Sequence, residues 1–189
     1  MEEKENRKIT RTKQLLTDAL TGMLKEMPLH AVSIRELCQR AGINRTTFYN
    51  HYGSQYDLLN EIAERFLADI AQQLSYADAY SRESVQERIT TVFSYLEEHL
   101  TLSRLLLSSN ADKSFAEKLF SLPKITDLLD AALRECEDEN SREAIISFAI
   151  HGSYHLLLDW IRRDERIPAD RQAAMILELA RRVCSQDSD

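Results

Sequence analysis

Residues 32–59, VSIRELCQRAGINRTTFYNHYGSQYDLL, constrain this chain more than any other stretch. Ser33 stands where a helix needs an N-cap, and Glu36 three residues later completes the pattern of a capping box. Ile34, Leu37, Cys38 and Ala41 then recur at helical spacing and point inward. Gly42 suits the left-handed position that ends such a helix. Ile43 is placed to plug the core, and Asn44 caps a short helix over about Arg45–His51. Gly53-Ser54 stops that helix, and Ser54 caps a longer one over about Gln55–Ser75, with Leu58, Leu59, Ile62, Phe66, Leu67 and Ile70 on one face. Two short helices around a tight turn, the second crowded with polar and aromatic groups, form the unit that lays its second helix in the DNA major groove. The pattern implies a DNA-binding regulator and not an enzyme.

The flanks fit an all-α protein. Gly (4) and Pro (3) are scarce, and no alternating run bounded by turn residues suggests a hairpin. A first helix is expected over about Arg7–Glu26, carrying Leu15, Ala19, Leu20, Met23 and Leu24, with Pro28 blocking its continuation. Beyond residue 80, helices are expected from Ser81 or Ser84 to about His99 and over about Leu102–Ser108. Asp112 opens another to about Phe120, and further helices follow over about Lys124–Glu137, Ser141–Arg163 and Asp170–Val183. Residues 1–54 then form a three-helix helix-turn-helix DNA-binding domain. Residues 55–189 form a helical bundle for effector binding and dimerisation, with the fourth helix as the lever between the two.

The net charge of −7 conflicts with DNA binding only until its distribution is read. Residues 1–60 hold nine Lys and Arg against seven Asp and Glu, and residues 61–189 hold 15 against 24. Lys4, Arg7, Lys8, Arg11 and Lys13, then Arg35, Arg40 and Arg45, cluster at the basic end. Screening confines their field to about 10 Å, so the acidic remainder does not cancel it. Cys38, Cys136 and Cys184 are far apart with no CxxC, as in reduced cytosolic proteins. No run of 18 or more apolar residues predicts a membrane span, and MEEKENRK lacks the apolar core of a signal peptide. A cytoplasmic location is expected, with no metal and no cofactor.

Within the second short helix Phe48 is expected to face inward. Arg45 is suited to a bidentate contact with guanine, and Thr46 to a thymine methyl or a base acceptor. Thr47, Tyr49 and His51 lie where donors meet phosphate oxygens. Asn50 projects from the same surface, and Ser33 and Arg35 can reach the backbone or a groove edge. Any one of these could be an ordinary solvated residue; together they are hard to explain as surface decoration.

This segment resembles the N-terminal domain of the TetR family of bacterial transcription regulators. The resemblance rests on Ser33, Ile34 and Leu37, on Ala41-Gly42-Ile43, on Phe48-Tyr49-Asn50-His51-Tyr52 and on Asp57-Leu58-Leu59, with Thr10, Lys13, Leu16 and Ala19 in register. It covers about residues 9–62. It implies an all-helical homodimer on a palindromic operator in double-stranded DNA, usually a repressor released by a small molecule. The family commonly has Lys where this chain has Gln55, which predicts a shallower salt dependence of binding, by up to about one unit of slope.

HGSYHLLLDWIRRDERIP, through Gly152, Trp160 and the following turn, is similar to a C-terminal domain type found in Firmicutes members, including activators of dihydroxyacetone kinase genes. That similarity implies dimerisation through the last two helices and leaves a protein partner open as an alternative to a small-molecule effector. Residues 144–161 are apolar nearly all round, which means burial on more than one side. An isologous four-helix interface including Leu156, Trp160, Met175 and Leu179 is the expectation; a fully intramolecular core helix is the plainer alternative. An effector pocket is expected among Phe93, Tyr95, Leu96, Leu105, Leu106, Phe115, Phe120, Phe148, His151, Tyr154 and His155, although most of these would serve equally as core. His151, His155 and Asp159, at i, i+4 and i+8, have a spacing that can supply metal ligands. With no Cys nearby and no HExxH, polar groups at a seam or pocket wall are the simpler account. The competing function is a coactivator or sensor acting through a protein partner. Enzymatic activity ranks last, because no Gly-rich phosphate loop, nucleophile elbow or paired metal motif is present.

Overall fold

The structure is a computed structural model that describes residues 2–80, 85–108, 113–123, 125, 127 and 139–184. Among these, every regular element is helical. The expected helix over Lys124–Glu137, its Cys136, and the openings at Ser81, Ser84 and Asp112 lie outside the described residues. The chain divides into two compact units, residues 1–66 and 67–189.

The first unit contains α1 (Glu2–Met23), a 3-10 turn (Leu29–Ala31), α2 (Ile34–Ala41), α3 (Arg45–Tyr49) and the opening turns of α4 (Gln55–Tyr80). α1 buries Leu16, Leu20 and Met23 completely, while Leu15 is 39% exposed. Leu20 and Met23 thus face inward as expected, and Leu16 takes the place expected of Leu15, following the i, i+4, i+7 spacing of the three buried side chains. Leu37, Cys38 and Ala41 of α2 and Phe48 of α3 complete the core with Leu58, Leu59, Ile62, Ala63 and Phe66 of α4. Because those α4 side chains belong to this core, the unit runs on to Phe66 rather than ending near residue 54.

Local chemistry explains the α2–α3 turn. The Ser33 hydroxyl accepts from the Glu36 amide at 3.2 Å. The reciprocal half of the expected capping box is replaced, since the Glu36 carboxylate pairs with Arg40 at 3.0 Å. Gly42 adopts φ 67°, ψ 29°, and its amide donates to the Cys38 and Gln39 carbonyls. A side chain at that φ would be strained, which is why glycine closes the helix. The Asn44 carbonyl oxygen accepts from the Thr47 amide at 2.7 Å and from the Thr47 hydroxyl at 2.8 Å. Replacing Asn44 by Ala is expected to cost about 1 kcal/mol, read as a lower urea midpoint for the first unit; an unchanged midpoint would show that the cap is redundant.

The second unit holds the rest of α4 with α5 (Val85–Glu98), α6 (Leu100–Ser108), α7 (Lys113–Phe120), α8 (Glu139–Arg162) and α9 (Ala169–Cys184). α9 lies along α5 and packs on α8, and α6 meets α5, α7 and α8. Trp160 is 2% exposed. Its ring meets Phe93 edge-on at 5.2 Å, the Arg166 guanidinium lies 5.9 Å away, and its indole N–H donates to the Ile167 carbonyl at 2.8 Å. The expectation that Trp160 lies on a dimer face is therefore corrected: it is a core anchor that also fixes the turn before Pro168. Arg104 closes the end of α8, donating to the Ile161 and Arg163 carbonyls at 2.8 and 3.0 Å, where a helix leaves acceptors unsatisfied.

α8 is less enclosed than its composition suggests. Ala149, Leu157, Leu158, Trp160 and Ile161 are buried, but Phe148 is 64% exposed, and His151, His155 and Asp159 face outward with it. α9 buries Ala173, Ile176, Leu177 and Ala180 and leaves Met175 and Leu179 40% and 45% exposed. By length and mean hydropathy, 1.2, the stretch Glu143–Arg162 reaches the range of a membrane-crossing helix, a weak signal that a core helix gives as well. Its buried side packs in the second unit's core, and its outer side carries the two histidines and an aspartate.

Candidate nucleic-acid interface

α3 divides cleanly into an inner and an outer surface. Phe48 is fully buried, with its ring edge-on to Tyr49 at 5.5 Å and 5.7 Å from Tyr52. Arg45, Thr46, Tyr49 and Asn50 are exposed, and Thr47 and His51 are half-buried. Tyr49 is 50% exposed, with the Arg45 guanidinium 5.9 Å from its ring centre. α3 ends two residues earlier than expected: Asn50, at φ −70°, ψ −17°, is its C-cap, and His51 lies in the turn that follows.

The other predicted DNA-reading residues lie at helix starts within the same unit. Ser33 and Arg35 are exposed at the start of α2, and Gln55 is half-buried at the start of α4. The Ser33 oxygen accepts from the Glu36 amide, which leaves its proton free to donate to a phosphate. Thr47 is the exception. Its hydroxyl proton is committed to Asn44, so its role shifts from phosphate donor to part of the cap.

Two of the clustered basic groups are also committed. Arg40 donates to both Glu26 oxygens at 2.9 and 2.8 Å, and this pairing holds the Glu26 carboxyl below its ordinary range. Lys13 is 2.8 Å from Glu61 and 5.7 Å from the centre of the Tyr52 ring. Tyr52 is 5% exposed, and its hydroxyl makes no well-formed hydrogen bond. Burial, with the Glu61 carboxylate second, pushes its phenol well above the ordinary value. Lys13, Tyr52 and Glu61 thus tie α1, the end of the α3 segment and α4 together behind the outer face. Sequence reasoning missed this network because its members share no local spacing. It also missed Tyr56, 49% exposed in the first turn of α4 beside Gln55.

The expected effector pocket is only partly assembled. A cavity of about 70 Å³ in the second unit is lined by Ile89, Val92, Phe93, Leu119, Phe120, Ile125, Ser153, Leu157 and Ile176. Of the expected residues, Phe93 and Phe120 line it. Leu96, Leu106 and Phe115 are buried core, while Leu105 and Tyr154 are half-buried, the latter edge-on to Phe120 at 6.0 Å. Tyr95 donates to Asp69 at 3.1 Å, and burial followed by that carboxylate pushes its phenol up to about 12. Phe148, His151 and His155 are turned to the outside of α8, so none of them forms a pocket wall.

Residues 16–62 match the family model described as "Bacterial regulatory proteins, tetR family". Residues 83–182, just over half of the chain, match "Transcriptional regulator C-terminal region" of the same family. The chain belongs to the TetR family. This TetR-family regulator is 26% identical over 129 residues to the dhaKLM operon transcriptional activator DhaS of Lactococcus lactis, covering 68% of this chain and 64% of that protein. It is 30% identical over 83 residues to the helix-turn-helix regulator YxbF of Bacillus subtilis, covering 43% of this chain and 22% of YxbF. The matches thus span less than two thirds of either relative. In fold it is similar to a TetR transcriptional regulator from Streptococcus agalactiae, with TM-score 0.73, 20% identity and coverage of 95% and 99% of the two chains. This member of the TetR family of bacterial regulatory proteins thus has the family's fold, with every regular element helical among the described residues.

Proposed function

We propose that this regulator is a cytoplasmic homodimeric repressor that binds a palindromic operator and is released when a small molecule enters the second unit's cavity. The carrying observation is the outer surface of α3 and its end: Arg45, Thr46 and Tyr49 are exposed on a short helix whose only fully buried side chain is Phe48, with exposed Asn50 and half-buried His51 just beyond it. Arg45 reads a base edge, while Tyr49, His51, Ser33 and Arg35 position the helix on phosphates. Dimerisation uses the outer faces of α8 and α9, where Phe148, Met175 and Leu179 are exposed, with half-buried Leu156 beside them. An isologous pairing of these helices covers both faces at once. The cavity carries no charged side chain among its described lining residues and exposes only apolar surface, so it suits an uncharged, apolar effector; at about 70 Å³ it must widen to admit one, since ligand pockets span about 300–1,000 Å³. α4 belongs to both units and is the element through which occupancy would alter DNA binding.

A second reading has one observation in its favour. The similarity to DhaS, named as an activator, supports a regulator that turns transcription on; the remaining alternative is a coactivator or sensor that acts mainly through a protein partner with little DNA affinity of its own. Operator binding by the isolated chain separates the two readings. Fluorescence anisotropy on the DNA flanking the gene should show tight, salt-sensitive binding by wild type. Arg45→Ala is expected to lose about 1–3 kcal/mol and relax selectivity at one position. Tyr49→Ala/His51→Ala should weaken binding uniformly across sequences, as phosphate contacts require. Wild-type binding that survives the double substitution would rule out this surface as the reader.

A further inference from the structure

We infer that His151 and His155 on α8 form half of a transition-metal site that a second copy of the chain completes. The inference rests on the α8–α9 dimer face proposed above. Residues four apart on a helix sit one above the other, with β-carbons about 5–6 Å apart, which is the reach of two imidazoles onto one ion. Both rings are on the exposed side of α8, together with Phe148. The decisive detail is the His151 ring. Its Nδ1 lies 2.7 Å from the Ser147 carbonyl oxygen. A carbonyl only accepts, so Nδ1 carries the proton, and Nε2 presents its lone pair outward. This is the outer-shell arrangement that fixes ring orientation and tautomer in histidines that bind metals.

One chain cannot finish the site. Among the described residues, no three His, Cys, Asp or Glu side chains converge on a common point. Asp159, one turn beyond His155, is exposed but does not join them. Gly152 supplies the reason to look to a second copy. It sits in mid-helix beside His151, where Ala would be favoured by about 1 kcal/mol, and a β-carbon built there meets nothing within 4 Å. The protomer does not use the space that glycine leaves, whereas a second α8 crossing at this point can approach closely. Two-fold symmetry then brings two His151–His155 pairs toward each other across the seam. Four neutral imidazoles make a tetrahedral nitrogen set suited to Zn²⁺, with Zn–N near 2.0–2.1 Å. On α9, Glu178 and Arg182 are paired with each other at 2.8 Å.

The test uses the full-length, untagged chain stripped of metal with a chelator. Zn²⁺ is titrated calorimetrically, and molar mass is followed by light scattering with and without Zn²⁺. The expected result is one Zn²⁺ per two chains and a tighter dimer in its presence, since a ligand that binds only the dimer must stabilise it. His151→Ala and His155→Ala, both on the exposed face, should each weaken Zn²⁺ binding by about tenfold or more while leaving helicity unchanged. One Zn²⁺ per chain without a change in mass would overturn the shared site. A metal-free dimer that binds no Zn²⁺ would overturn the site and leave the dimer reading intact. A chain that is monomeric without metal and pairs only with Zn²⁺ would support the site and overturn the metal-independent dimer. A monomer under both conditions would overturn both.

Discussion

Phe48→Ala is expected to abolish operator binding by unfolding the first unit, not by removing a DNA contact. Phe48 is fully buried and packs edge-on against Tyr49 and at 5.7 Å from Tyr52. Truncating such a side chain costs about 3–5 kcal/mol, against about 5–15 kcal/mol that hold a whole domain together. α3 is five residues long and cannot persist without this anchor. Urea unfolding followed by circular dichroism should show a transition near zero denaturant for part of the helical signal. Tyr49→Ala provides the contrast, because a half-exposed side chain should lose DNA affinity with little change in stability. A Phe48→Ala chain within about 1 kcal/mol of wild type would mean that α3 is held by something other than its core residue.

Trp160→Ala should be the most damaging single substitution in the second unit. Its ring is buried against Phe93, and its indole N–H satisfies the Ile167 carbonyl. Loss of the ring costs about 3–5 kcal/mol, and the stranded carbonyl adds to the damage. The way the loss appears distinguishes a core role from an interface role. A core defect lowers the thermal midpoint by nearly the same amount at every protein concentration, whereas a defect at a dimer face lowers it by an amount that varies with concentration. A Trp160→Ala shift, relative to wild type, that varies with concentration would return this residue to the interface.

The local grammar of the first unit was legible in the sequence because its signals are short-range. Ser33, Gly42, Asn44 and Ser54 cap or end helices through bonds within four residues, and each lies where its chemistry requires. The limits of that reading are equally physical. Leu15 and Leu16 are both apolar, and only the tertiary partner decides which one turns inward. The pairing of Arg40 with Glu26 spans 14 residues, and that of Lys13 with Glu61 spans 48. These pairings took two cations out of the expected phosphate-binding set, and no local spacing announced them. In the second unit, aromatic residues at helical spacing mark a core or a pocket equally well. Spacing alone therefore does not decide which side of α8 is covered: Phe148 and His151 are exposed, and Trp160 is buried. Periodicity shows that residues share a face, but packing alone shows which face is covered.

The separation of roles on α3 has an evolutionary consequence. The groups that hold the helix, Gly42, Asn44 and Phe48, differ from those that meet solvent, Arg45, Thr46, Tyr49, Asn50 and His51. Surface substitutions away from caps and cores usually change stability by less than about 0.5 kcal/mol. The outer set can therefore drift, one residue at a time, without passing through unfolded intermediates. Under the proposed reading, duplicated copies of such a gene can diverge to new operators while keeping one scaffold, and exchanging positions 45, 46 and 50 is expected to change operator choice without loss of stability.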